Sequence, residues 1–443
     1  MAQTQNMARQ TERLWSEGAF VPLHGRLTQL VGTVLRARMD EFHVGEQCEI
    51  RDPISGQTSE AEVIGIDGDE ALLLLLGSAQ GISNRSQVTP LGSGSMLEVS
   101  DAYLGRVLGP MGNPIDGEAP LPSAPGRPIT APPPNPMTRP PISDVFLTGV
   151  TPIDALLTCG VGQRVGIFGS AGTGKSTLLV DLLRRSQADV VVIALVGERG
   201  REVRELVNEV RSEDAFARTV MVVSTSDSPP LERLRAADSA TTSAEYFRDK
   251  GKDVLLIVDS LTRVARAQRE VGLAAGEPPT RRGFPPSVFA MLPALLERSG
   301  RSDSGSITAF YTVLVEGDDD DQDPIADEVR SLLDGHILLS RSLAAQGKFP
   351  AIDIAGSVSR LMQTIASPHH IAAARIIRAQ LQAIKEVELL VRVGEYTPGR
   401  DQLTDAALAN QETLNNFLYR SKQPAKDVNT LVKKLMSTAG LGK

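Results

Sequence analysis

Residues 163–177 read Gln-Arg-Val-Gly-Ile-Phe-Gly-Ser-Ala-Gly-Thr-Gly-Lys-Ser-Thr, and no other stretch restricts what this chain can fold into as tightly. A short apolar run meets a glycine-rich turn and then a helix-forming segment. Gly169 to Ser176 fit the pattern G-x-x-x-x-G-K-[ST], whose backbone N–H groups curl around an anion. Gly169, Gly172 and Gly174 are able to take positive φ. A helix opening at Lys175 adds unpaired N–H groups and the positive end of its dipole. Lys175 is then placed for the β- and γ-phosphates, and the Ser176 hydroxyl for Mg2+. Ser170, Ala171, Thr173 and Thr177 complete the segment expected to hold ATP. A strand–turn–helix of this kind requires an α/β core.

The 443 residues are enough for about two to four domains. A net charge of −8 gives no basic footprint for nucleic acid. Cys48 and Cys159 have neither metal-ligand spacing nor the number a disulfide framework needs, which points to a reducing compartment. Residues 1–13 are polar and lack the apolar core of a secretory signal. The longest apolar runs, 190–196 and 71–76, fall short of the ~18 residues that span a bilayer. The expectation is a cytoplasmic, soluble protein.

Residues 1–20 form a polar tail containing Trp15. Residues 21–94 alternate short β segments with turns, and 30–37 and 61–66 read as strands. Asp67-Gly68-Asp69 reads as a hairpin turn before the leucine run 71–76, and together these predict a small barrel or sandwich. Ten prolines between Pro120 and Pro141 predict an extended connector over 118–141 leading into the core, which spans 95–360. From 361 to 443 apolar residues recur at three- and four-residue spacing, which predicts helices over 371–393 and 402–417. His369-His370 reads as a helix start rather than a metal site.

Within the core, Val190–Val196 reads as a central strand running into Gly197-Glu198-Arg199-Gly200-Arg201-Glu202. Ligands of open α/β sheets sit at the carboxyl ends of strands, where Glu198 could orient an attacking water. The same cluster reads equally well as a solvated helix cap, and Arg199, Arg201 and Arg204 are open between phosphate, interface and surface roles. Residues 253–258 form another buried strand, ending in Asp259, which fits the carboxylate that holds magnesium through a water. The acidic run 316–323 reads as a solvated loop.

These segments, with Leu104–Gly117, Thr148–Leu179, Ala240–Arg263, Gly283–Phe289, Asp323–Arg341 and Phe349–Arg360, resemble the ATPases of bacterial type III protein secretion, relatives of the rotary ATP synthase catalytic subunits. Thr158-Cys159-Gly160 followed by Gly162-Gln163-Arg164 resembles the secretion branch. The resemblance implies an α/β fold: a RecA-like P-loop NTPase core with an N-terminal β-barrel and a C-terminal helical domain, assembled as a homohexamer. It implies an ATP hydrolase with Lys175, Glu198, Arg199 and, in trans, Arg360 as catalytic residues, and with Ser176 and Asp259 serving Mg2+. Arg248 matches a phosphate-proximal arginine, and Phe349 and Tyr396 match positions flanking the adenine. Its implied partners are a central stalk protein met by the acidic loop, a stator or regulator at the N-terminal region, and chaperone–substrate complexes at the C-terminal domain. It also implies peripheral attachment at the inner membrane. The alternatives are a non-catalytic nucleotide-binding ring subunit, against which Glu198 speaks, and a flagellar rather than injectisome export ATPase. A ring-shaped RNA translocase would need a basic, aromatic platform that the N-terminal region lacks.

Overall fold

Six antiparallel strands close into a barrel: β1 (Gly25–Val31), β2 (Val34–Arg38), β3 (Glu46–Arg51), β4 (Thr58–Asp67), β5 (Glu70–Leu76) and β6 (Gln87–Gly94), in the order β1-β2-β5-β4-β3-β6. Gly25 pairs with Val88 to complete the circuit. Leu27, Leu35, Ile50, Val63, Leu73, Leu75 and Val88 fill the interior. The strand expected over 30–37 is instead a hairpin, because Gly32 takes φ 63° and turns the chain between β1 and β2. This computed structural model describes residues 24–315, 323–419 and 424–441. Trp15, the N-terminal tail and 316–322 of the acidic run lie outside the described residues.

Residues up to Ser95 make one compact unit and those from Met96 a second. The second is organised by a nine-stranded sheet. Its main strands are β7 (Arg106–Leu108), β8 (Arg164–Gly169), β9 (Val190–Glu198), β10 (Thr219–Thr225), β11 (Asp253–Asp259), β12 (Ser306–Leu314), β13 (Gly335–Leu339) and β14 (Ile352–Ser359). They lie in the order β14-β13-β8-β12-β11-β9-β10-β7. All are parallel except β14, which runs antiparallel to β13. Every residue of β9 is buried, as a central strand covered on both faces requires. The proline-rich connector is strapped to this body. Ile129 is fully buried with its carbonyl accepting from Thr242 Oγ1 (2.8 Å), and Arg139 pairs with Glu297 (3.1 Å).

Helices Pro368–Val393, Gln402–Ala409, Gln411–Tyr419 and Val428–Thr438 follow the sheet. Ile377, Leu414 and Leu431 share one hydrophobic core with Leu156, Val165 and Leu178. The helix expected over 402–417 is broken at Asn410, whose side-chain amide donates to Gln380 Oε1 and to the Thr438 carbonyl, both at 2.9 Å. His370 belongs to a buried helix start: Ser367 Oγ accepts its N–H (3.3 Å), and its Nε2 meets the Ala155 carbonyl (2.8 Å). Among the described residues no helix is long and apolar enough to cross a membrane.

Candidate active site

Strand β8 ends at Gly169 and the helix Lys175–Arg185 begins five residues after Ser170. The loop between them is shaped by two different uses of glycine. Gly172 (φ 81°) and Gly174 (φ 83°) occupy the left-handed region, the latter directly before Lys175. Gly169 does not take positive φ as the sequence predicts; it is needed because a Cβ there would sit 3.0 Å from both Leu339 and Thr173 Oγ1. Thr173 Oγ1 donates to the Ser170 carbonyl (2.8 Å) and closes the turn, while Arg341 Nε holds Ser170 Oγ (2.5 Å). Ala171, Ser176 and Thr177 face outward.

The carboxyl ends of β9 and β11 bring two acids to the lysine of this loop. Lys175 Nζ lies 2.5 Å from Asp259 Oδ1 and 3.6 Å from Glu198 Oε1. Asp259 Oδ1 also accepts from Thr312 Oγ1 (2.6 Å). Glu198 Oε2 accepts from Arg263 Nη2 (3.0 Å), and Arg263 Nη1 holds the Gly197 carbonyl. Glu198 Oε1 is buried and makes no hydrogen bond among the described residues. Burial, and then the charge of Asp259, push the Glu198 carboxyl above the ordinary glutamate range against the pull of Lys175 and Arg263. A buried, half-satisfied carboxylate beside a phosphate loop is equipped to hold and polarise a water. The hydroxyl of Ser176 and the carboxylate of Asp259 are hard oxygen donors of the kind Mg2+ takes. Both hydrogen bonds to Asp259 use Oδ1, so neither would compete with a metal contact made through Oδ2.

Other expected residues lie elsewhere. Arg199 is 76% exposed at the start of the next helix and pairs with Glu202 (3.3 Å), so it faces solvent rather than the loop. Arg248 is a correction: it precedes β11 and therefore sits at the amino end of the sheet, opposite the phosphate loop. There it donates to Asp249 (2.8 Å) and to the Arg298 carbonyl (3.3 Å). The arginine that reaches the acids beside the loop is Arg263, one helical turn past Asp259. That spacing was a usable signal. Arg360 directly follows β14, which is antiparallel, so it too lies at the amino end of the sheet. Its backbone N–H donates to Asp334 O (3.0 Å) and its guanidinium meets only the Arg330 carbonyl (3.4 Å) among the described residues.

Phe349 lies at the other end of β14, against the loop. A Cβ on Gly174 would approach its ring to 2.9 Å. A groove of about 390 Å³ opens here, lined by Gly174, Thr177, Phe349, Pro350, Leu418 and Tyr419. Tyr396 is the second correction. Gly394 ends its helix in the left-handed conformation, the Tyr396 hydroxyl donates to Asp405 (2.8 Å), and the ring lines a separate hollow with Val391 and Leu408. The aromatic that shares the groove with Phe349 is Tyr419, with Lys348 Nζ 5.9 Å from its ring centre. The sequence gives Tyr419 no signal, because only the packing of the C-terminal helices brings it to Phe349.

Residues 149–359 match the ATP synthase alpha/beta family nucleotide-binding domain, and residues 366–437 match the T3SS EscN ATPase C-terminal domain. The type 3 secretion system ATPase of Sinorhizobium fredii is 48% identical over 95% of this chain and 93% of its own length. The assembled ATPase EscN from the enteropathogenic E. coli type III secretion system superposes with a TM-score of 0.87 at 45% identity, covering 94% of this chain and all of that one. EscN in complex with its central stalk EscO superposes with a TM-score of 0.86 at 44% identity over 94% of this chain and all of that one.

Proposed function

This chain belongs to the type III secretion ATPase family, and from that premise we propose how its residues divide the work of hydrolysis between adjacent copies of itself. It is an ATP hydrolase, the motor of a type III protein secretion system. In our reading the loop 169–177 wraps the phosphates and Lys175 leaves Asp259 for the β- and γ-phosphate oxygens. Ser176 and Asp259 would hold Mg2+, which would supply positive charge to offset that of the phosphates. Glu198, whose ionised form Arg263 and Lys175 favour, takes its attacking water on Oε1. Phe349 and Tyr419 offer faces to a purine.

Arg360 completes the site of a neighbouring copy. The supporting observation is its distance from its own loop: Phe349 precedes β14 and Arg360 follows it. Eight residues of strand span roughly 25 Å. One chain thus carries a pocket at one end of its sheet and a finger at the other, and a closed head-to-tail ring satisfies both in every copy. We take that ring to be a homohexamer. As in the stalk-bound EscN assembly, a central stalk protein would enter it; a stator or regulator would engage the N-terminal region, and chaperone–substrate complexes the C-terminal helices. Hydrolysis would release chaperones and unfold export substrates, with the ring held peripherally at the cytoplasmic face of the inner membrane.

Mixing tests the division. Arg360→Ala rings and Glu198→Gln rings should each be inactive. Rings containing both chains should regain turnover at interfaces that join an intact pocket to an intact finger. No recovery in rings shown by native mass spectrometry to be mixed would sink the trans assignment.

A further inference from the structure

The phosphate chemistry leaves the segment 158–164 without a task, yet three of its residues converge on the base of Arg360. The Thr158 carbonyl accepts from Ser359 Oγ (2.7 Å). Gln163 is fully buried; its Nε2 donates to the Asp334 carbonyl (3.1 Å) and to Ser359 Oγ (3.4 Å), and its Oε1 accepts the Gly160 N–H (2.8 Å). That same Asp334 carbonyl receives the Arg360 N–H (3.0 Å). The Asp334 carboxylate is in turn gripped by Arg164, through its backbone N–H (3.1 Å) and its Nε (3.2 Å). Arg164 Nη1 continues to the Glu297 carboxylate, which Arg139 of the proline-rich strap also holds (3.1 Å). The contrast within one residue is informative. The Arg360 backbone is anchored to a partly buried ionic network, while its guanidinium is exposed. A side chain aimed at a target outside its own polypeptide needs that combination, because misplacement by about 1 Å can cost about 100-fold in rate.

We infer that Gln163, Arg164 and Asp334 form a seat that aims Arg360 at the triphosphate of the neighbouring copy. This rests on the trans reading above and deepens it. Arg164 is the first residue of β8 and Gly169 the last. A single strand therefore carries the phosphate loop for its own nucleotide at one end and the finger's seat for the next nucleotide at the other. Strand β8 is bonded to β12 on one side and β13 on the other, so it transmits a displacement rather than stretching. These three are positioning residues; none touches the nucleotide.

The test uses full-length Asp334→Asn, which weakens the grip of Arg164, and Gln163→Met, which removes the donor to Asp334 and leaves the ion pair intact. Having two variants guards against one failing to fold. Unassembled chains of each should bind a non-hydrolysable ATP analogue as the parent does, while rings of each lose about 10- to 100-fold in turnover. The deciding readout is complementation. Mixed rings with Glu198→Gln should recover turnover, since the pocket of the seat variant is intact, and mixed rings with Arg360→Ala should not. Unchanged turnover in both variants overturns the seat. Recovery with Arg360→Ala but not with Glu198→Gln overturns it too, because the damage would then lie in the pocket. If Arg360→Ala and Glu198→Gln fail to complement each other, it is the trans reading that falls.

Discussion

The two ends of the large sheet use the same side chains to opposite effect. At the carboxyl end Lys175 is shared between Asp259 and Glu198, and Glu198 Oε1 is buried without a hydrogen bond among the described residues. At the amino end Arg298, only 3% exposed, places Nε and Nη2 on the two Glu245 oxygens (3.0 and 2.8 Å) and Nη2 also on Thr242 Oγ1 (2.8 Å). Arg164, only partly buried, is also held between Asp334 and Glu297. Buried charges that are completely paired fix geometry. Charges left short of partners are held ready for a ligand that will complete them. Arg360 sits at the paired end with its backbone and faces outward with its head. That placement is what a finger acting on a neighbouring copy would require.

The comparison breaks first if the carboxyl end proves dispensable. Glu198→Gln should bind ATP and lose turnover, because the orphaned oxygen no longer polarises water. Arg360→Ala should lose about 10³–10⁵-fold, roughly 4–7 kcal/mol of barrier, while its unassembled chains bind ATP normally. Single-turnover assays on rings and equilibrium binding on dilute chains separate the two effects. A large loss of binding by dilute Arg360→Ala chains would return that residue to its own pocket. Next in size is the amino end. Arg298→Met should cost about 3–5 kcal/mol of stability, because Glu245 is left charged and unpaired. The double change Arg298→Met with Glu245→Leu should recover most of that. Urea melts measure it, and a double variant no more stable than the single would show that the pair is not the cause.

The sheet's polarity also explains what the sequence allowed to be read. The loop was legible because its chemistry demands eight residues at fixed spacing. Glu198 and Asp259 were legible because an apolar run ending in an acid marks the carboxyl end of a buried strand. The rule that pointed to them excludes Arg248, which precedes its strand. A resemblance in local wording carried Arg248 where topology did not. The barrel was legible from alternation between turns, but the hairpin at Gly32 interrupts an otherwise good strand pattern. Strand order, Tyr419 and the convergence of Gln163 on Arg360 depend on contacts between segments far apart in sequence. No local pattern carries those.

Arg263 sharpens the comparison through pH. Burial and Asp259 raise the Glu198 carboxyl, and Arg263 opposes them. The base must be ionised to accept a proton, so turnover should fall as pH drops through a midpoint above the ordinary glutamate value of 4.5. Arg263→Met removes a stabiliser of the ionised form. Its acid limb should therefore move further toward neutrality, with a loss of turnover that is largest at low pH and narrows as pH rises. Profiles of kcat against pH decide it; a limb that stays put or moves to lower pH would detach Arg263 from Glu198.

The smallest effect tests the groove, where polarity says least and packing says most. Stacking of a base on an aromatic ring is worth about 1–3 kcal/mol, the upper part of that range applying when both faces are covered. Phe349 is 42% exposed and Tyr419 half-buried, so each offers a face before a nucleotide arrives. Phe349→Ala and Tyr419→Ala should therefore raise the KM for ATP about tenfold each with little change in kcat, since the purine is remote from the reacting phosphate. Tyr396→Ala should leave both constants nearly unchanged, because its ring lines a separate hollow and its hydroxyl ties Asp405 within the C-terminal helices. A KM that answers to Tyr396 and ignores Tyr419 would mean that the C-terminal helices repack around bound nucleotide. The groove would then be made by the ligand rather than waiting for it.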